Sequence, residues 1–295
     1  MSSSPATAPS GQLQIAYDVA GDEGDPPIVL IPGLGAQLIF YEDEFVQGLV
    51  DRYFRVIRVD NRDCGLSSQV DAPPVDTAAL MAGTAPPPPY RFADMAGDVV
   101  AVLDHLGIDS AHVLGTSLGG MIAQVLAVDH RDRVASLTLL SSTSGAPDVG
   151  LPTPEALAAL LAPGPDGADR DAAIAFDVAT RRAWATPEYY DLDWAAEYFG
   201  AAYDRARTPD GTSRQLAALF AEPDREAQLR GLDVPTLVVH GTADPLIAPS
   251  GGERLAELID GAELLLLDAM AHDLPPHYWA PLIEAVTRLV VRAGT

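Results

Sequence analysis

The chain has 295 residues and a formal net charge of −24, from 18 basic and 42 acidic residues, and every basic residue is an arginine. A field of that sign repels phosphate backbones and anionic lipid surfaces, which argues against nucleic-acid and membrane partners and leaves neutral, cationic or largely apolar small molecules as ligands. Hydrophobic residues at 48% and charged ones at 20% are ordinary globular values, and a chain of this size buries enough surface to fold without disulfide or metal staples.

Residues 1–12 (MSSSPATAPSGQ) carry neither a basic nor an apolar signal region and read as a disordered N-terminal tail, with the cytoplasm as the default location. A first core part spans 13–143. Within it, 28–31 (IVLI) is a compact buried-strand run followed by Pro32-Gly33-Leu34-Gly35, 45–53 has helical spacing, and 54–59 (FRVIRV) is a second strand. Prolines at 73–74 and 86–89 keep 67–90 out of a sheet interior and make it an extended surface loop. Apolar residues at Met95, Val99, Val102, Leu103 and Leu106 form a helical stripe over 93–107 that stops at Gly107. Strand 112–114, helix 118–128 and strand 134–140 follow.

The stretch 144–231 has no strand-like run. It reads as short helices punctuated by prolines, and it holds nine of the chain's nineteen aromatic residues. The strand–helix rhythm resumes over 232–295, with strands at 236–239 and 264–267 and helices at 252–259 and 278–291. Such alternation predicts an α/β protein with a mostly parallel, doubly wound sheet. A helical insert before the last two strands lies over the sheet's carboxyl edge, where open α/β folds bind ligands, so 144–231 reads as a cap. Trp184, Tyr190, Trp194, Tyr198 and Phe199 are its candidate pocket residues. A helical subdomain packed on its own core would use the same aromatics.

Between the strand at 112–114 and its helix stands Gly115-Thr116-Ser117-Leu118-Gly119, a G-x-S-x-G pattern at the junction where a nucleophile elbow must lie. A serine hydroxyl needs a base, and the base an orienting carboxylate. Asp244, just past the strand ending near His240, and His272, just past the strand at 264–267, follow Ser117 in the order this architecture requires. Two backbone N–H groups should face a developing oxyanion: Leu118, next after the serine, and Leu34 in the glycine turn. Asp60-Asn61-Arg62-Asp63 is expected to fix the adjoining loop through hydrogen bonds, His112 and His240 to be framework residues, His277 to be at the surface, and Cys64 to be a small buried residue. One cysteine and six scattered histidines suggest neither a disulfide nor a zinc site, so no metal or cofactor is expected.

The blocks 31–37 (IPGLGAQ), 55–67 (RVIRVDNRDCGLS), 94–120 and 240–246 resemble the α/β-hydrolase superfamily, in particular the actinobacterial esterase/lipase branch that includes aclacinomycin methylesterase. The resemblance covers nearly the whole chain. It implies an α/β-hydrolase fold and hydrolysis of small-molecule carboxylic esters through an acyl-enzyme, with Ser117, Asp244 and His272 matching the family's triad. Pro32 departs from the pattern, since many relatives carry His before the oxyanion glycine. Polyketide methylesterases, lactonases, C–C bond hydrolases and acyltransferases use the same triad, and a hydrolase-fold receptor that has lost catalysis stands as the non-enzymatic alternative. Haloalkane dehalogenase and epoxide hydrolase chemistry is disfavoured, because a carboxylate would stand where Ser117 does.

Overall fold

The computed structural model describes residues 5–165 and 169–294. Eight strands form one sheet: β1 (Ala6–Ser10), β2 (Leu13–Ala20), β3 (Pro27–Ile31), β4 (Arg55–Val59), β5 (Ala111–Thr116), β6 (Val134–Leu140), β7 (Thr236–Gly241) and β8 (Glu263–Leu267). Their order is β1-β2-β4-β3-β5-β6-β7-β8, antiparallel at β1-β2 and β2-β4 and parallel from β4 onward. Helices α1 (Asp43–Val50) and α11 (Trp279–Ala293) cover one face, and α3 (Phe92–His105), α4 (Leu118–Asp129) and α10 (Ser250–Leu258) the other.

Side chains alternate across a strand, and β3 shows what that does here. Val29 and Ile31 pack with Val99, Leu103 and Ile122 of α3 and α4, while Ile28 and Leu30 pack with Phe45 and Leu282 of α1 and α11. A strand buried on both faces reads as an unbroken apolar run, which is why IVLI stands out in the sequence.

Among the described residues five helices lie between β6 and β7: α5 (Pro154–Leu160), α6 (Arg170–Arg181), α7 (Leu192–Arg205), α8 (Pro209–Ala221) and α9 (Glu226–Leu229). Side-chain caps start three of them. Thr153 accepts from the Ala156 N–H, Asp169 from Ala172, and Asp191 from Asp193 and Trp194. Proline, whose missing N–H is harmless in a first turn, opens α5 and α8. The insert is fastened to the sheet by buried polar pairs. Arg214 of α8 grips Asp63 with two hydrogen bonds of 2.8 and 2.7 Å, and Arg205 of α7 reaches Asp60 at 2.8 Å and the Gln37 Oε1 at 2.7 Å. At the insert's exit, Arg225 donates to the Gln124 Oε1 and to the Thr143 carbonyl, each at 3.0 Å.

Two expectations are corrected. The tail expected over 1–12 is instead, from Ala6, an edge strand that pairs with β2 from Ala6↔Tyr17 to Ser10↔Leu13. A strand with one neighbour tolerates Pro9, and burial of Ala8 against the core secures it despite the polar composition. Residues 1–4 lie outside the described residues. The loop expected over 67–90 contains a short helix, α2 (Thr77–Met81), started by the Asp76 side chain, and it is tied to α8 through Val75 N–H to Ser213 Oγ at 3.0 Å. Among the described residues no helix is long and apolar enough to cross a membrane.

Candidate active site

Ser117 sits between β5 and α4 with φ +56° and ψ −119°, a left-handed conformation that costs a non-glycine residue on the order of 1–3 kcal/mol. The neighbouring glycines make that turn possible. A Cβ on Gly115 would lie 2.3 Å from the Gly119 carbonyl oxygen, and one on Gly119 would lie 2.1 Å from that of Ile31. Close approach of backbone to backbone therefore holds the elbow. The Ser117 N–H donates to Leu140 O at 2.8 Å, and the Ser142 hydroxyl donates to Ser117 O at 2.9 Å.

The structure brings Ser117, His272 and Asp244 into one hydrogen-bonded series. His272 Nε2 lies 2.9 Å from Ser117 Oγ, and His272 Nδ1 lies 2.7 Å from Asp244 Oδ2. An ionised carboxylate only accepts, so Nδ1 carries the proton and Nε2 offers its lone pair to the serine hydroxyl. Asp244 is fully enclosed on its other side: its Oδ1 accepts from the Leu246 and Ile247 N–H groups, both at 2.9 Å. Burial pushes the Asp244 carboxyl up, but the electrostatic attraction and hydrogen bonds of the His272 and His240 imidazoles outweigh it and hold the group below the usual carboxylate range.

Gly33, Leu34, Gly35 and Ala36 form a turn closed by Ala36 N–H to Gly33 O at 3.2 Å, directly beside Ser117. Among the described residues neither the Leu34 N–H in this turn nor the Leu118 N–H at the start of α4 has a protein acceptor. Asp60 to Asp63 brace the turn. Asp60 accepts from the N–H groups of Leu38 and Leu66 at 2.7 and 2.9 Å, and Asn61 donates to Pro32 O at 3.0 Å. Cys64 is buried with its thiol on Ala36 O, and burial pushes its pKa up. His112 is a framework residue bonded to Ser136 Oγ at 2.9 Å, whereas His277 is exposed and stacks on Tyr189. Among the described residues no group of three or more His, Cys, Asp or Glu side chains is placed to hold a metal ion.

The five aromatic candidates divide between two cavities. Tyr190 and Trp194 line one of about 220 Å³, Trp184 lines another of about 380 Å³, and Tyr198 and Phe199 face both. Ser117 lines neither. The larger cavity reaches the site at Leu34, the smaller at Leu274, two residues past His272. Trp194 stacks on Tyr198 at 5.5 Å and donates its Nε1–H to Glu42 at 3.2 Å, while the Tyr190 hydroxyl is spent on Val178 O.

Several residues of the site escaped the sequence reading. Thr186 and Asp273 join the insert to the His272 loop, while His240, expected as a framework residue, donates from Nε2 to Ile247 O at 2.8 Å and braces the Asp244 loop. Asp273 follows the candidate base directly and could have been noticed for that; Thr186 leaves no local signal.

Known proteins agree with this architecture. The sequence profile of the alpha/beta hydrolase fold family matches residues 26–275. The rhodomycin D methylesterases DauP of Streptomyces sp. (strain C5) and DnrP of Streptomyces peucetius are 30% and 31% identical, each alignment covering 90% of this chain and 91% of the relative. The crystal structure of the esterase RhEst1 from Rhodococcus sp. ECU1013 superposes with a TM-score of 0.74 at 26% identity, covering 98% of this chain and 99% of that one. With the sheet order, the elbow at Ser117 and these likenesses together, the chain belongs to the alpha/beta hydrolase fold family and is a hydrolase.

Proposed function

We propose that the protein hydrolyses carboxylic esters of neutral, largely apolar substrates through an acyl-enzyme, with Ser117 as nucleophile, His272 as general base and Asp244 as its orienting carboxylate. The observation that carries this reading is the unbroken series from Ser117 Oγ through both imidazole nitrogens to Asp244 Oδ2. As Oγ bonds to the ester carbonyl carbon, its proton passes to His272 Nε2, and Asp244 stabilises the imidazolium that forms. The carbonyl oxygen becomes an oxyanion facing the N–H groups of Leu118 and Leu34, a pair of donors of the kind worth about 3–4 kcal/mol each in acyl transfer. When the tetrahedral intermediate collapses, His272 returns the proton to the leaving alkoxide. Water activated by the same nitrogen then releases the acid and restores Ser117.

Among esters, methyl esters of bulky acids are the favoured class. Two relatives spanning nine-tenths of this chain are named for methylesterase activity, and the aromatic cavities beside the site suit a large apolar acyl group. The −24 net charge disfavours acidic substrates and helps expel the carboxylate product. A fluorophosphonate probe tests the reading. It is expected to label Ser117, and Ser117→Ala is expected to lose both labelling and p-nitrophenyl ester turnover, by at least about 10³-fold, with its melting temperature nearly unchanged. Retained turnover in that variant would overturn the assignment.

A further inference from the structure

The loop that carries His272 is not held by the sheet alone. Directly after α6, the insert segment Trp184–Thr186 runs against it and makes four hydrogen bonds to three successive residues. The His272 N–H donates to Trp184 O at 2.8 Å, and the Ala271 N–H donates to Thr186 Oγ1 at 2.9 Å. The Thr186 N–H donates to Asp273 Oδ2 at 2.9 Å, and the Thr186 hydroxyl donates to Asp273 Oδ1 at 2.5 Å. Thr186, Ala271 and His272 are buried, at 1%, 2% and 8% exposure, so the bonds at Ala271 and His272 are shielded from water, while the Asp273 carboxylate is half-buried.

The arrangement is directional. Both oxygens of Asp273 are occupied by Thr186, which fixes the hydroxyl rotamer and aims the oxygen's remaining lone pair at the Ala271 N–H. Residues on either side of the imidazole are thereby fixed by one threonine that lies 85 and 87 positions earlier in the chain. The same segment also reaches the carboxylate arm. Trp184 shares a small buried apolar cluster with Ala156 and Leu246, and the Leu246 N–H is one of the two donors to Asp244 Oδ1. Since Trp184 also lines the larger cavity, one short stretch touches the ligand space, the acid loop and the base loop.

We infer that Thr186 is a positioning residue for His272, so that the helical insert sets the geometry of the base as well as shaping the pocket. The inference rests on the reading of Ser117 and His272 as the reacting pair. Displacement of a catalytic group by about 1 Å lowers rate by up to about 100-fold, so loss of the clamp appears in kcat while the apolar contacts that govern KM persist. A purely structural role would instead lower activity in proportion to the fraction unfolded.

The test compares Thr186→Val, which keeps the shape and removes the hydroxyl, with Thr186→Ser, which keeps the hydroxyl and removes the methyl. Steady-state p-nitrophenyl ester turnover, the rate of fluorophosphonate labelling and the melting temperature are measured for each and for the unaltered chain. The expected result is a 10- to 100-fold fall in kcat and in labelling rate for Thr186→Val, KM within about threefold, and recovery to within about threefold in Thr186→Ser. Undiminished labelling and turnover in Thr186→Val, or an equal loss in Thr186→Ser, would overturn the positioning role while leaving the serine-hydrolase reading intact. An unlabelled Ser117 in the unaltered chain would overturn that reading and this inference with it.

Discussion

In the sheet, the candidate site is held by backbone: Gly115 and Gly119 let two strands and a helix approach so closely that no Cβ fits, and Leu118, Asp244 and His272 stand on the loops that leave the ends of β5, β7 and β8. In the insert, side chains add most of the named fastenings, Arg214 on Asp63, Arg205 on Asp60 and Gln37, and Thr186 on Asp273, beside backbone bonds such as His272 N–H to Trp184 O. The two regions divide the work accordingly. Steric exclusion in a close-packed sheet leaves little freedom to the elbow, whereas a pocket assembled from discrete polar contacts can change its aromatics without disturbing the reacting groups. Thr186 is where that division fails, because there the insert touches the loop that carries His272, the candidate base.

Among changes that leave Ser117, Asp244 and His272 in place, the largest loss of turnover should come from breaking the backbone approach. In Gly119→Ala the new methyl meets the carbonyl oxygens of Ile31 and Pro32 at 2.1 and 2.6 Å, so the elbow must move away from β3. Urea unfolding should show a loss of about 3 kcal/mol, and ester turnover should fall at least about 100-fold. Unchanged values would mean that the elbow is not held by this contact.

Removing an insert fastening comes next. Arg214→Met leaves the fully buried Asp63 carboxylate without its guanidinium, a change that destabilises by about 3–5 kcal/mol in comparable buried pairs. Limited proteolysis should then cut within the insert before the sheet. The added Asp63→Asn change, which removes the stranded charge, should recover much of the loss; no recovery would show that Arg214 acts through packing.

The smallest expected effect is a pH slope confined to the sheet. Burial lowers His112 to about 4, against roughly 6.5 in an unfolded chain. Between those values the unfolded state binds the extra proton, so stability is complete above about pH 6.5 and falls on acidification towards pH 4. His112→Gln should remove that slope. Relative to the variant, the unaltered chain should lose about 2 kcal/mol between pH 7 and pH 5 by urea unfolding, with turnover per folded molecule unchanged because His112 lies at the opposite end of β5 from Ser117 and the candidate site. Parallel stability curves for the two chains would refute the assignment.

By itself the sequence determined what local spacing can encode. The run 28–31 is apolar on both faces, the glycines around Ser117 admit one tight turn, and chain order places Asp244 and His272 after later strands; these readings need no knowledge of distant residues. Only the tertiary structure decided the rest. β1 exists because β2 supplies its partner, and Tyr190 and Trp194 fall in one cavity and Trp184 in another because of how α6 and α7 lie. Gln37 meets Ala202, Arg214 meets Asp63 and Thr186 meets Asp273 across 165, 151 and 87 positions. A polar contact between residues so far apart leaves no period and no motif. It is selected by the complementarity of two surfaces that come together only when the chain is folded.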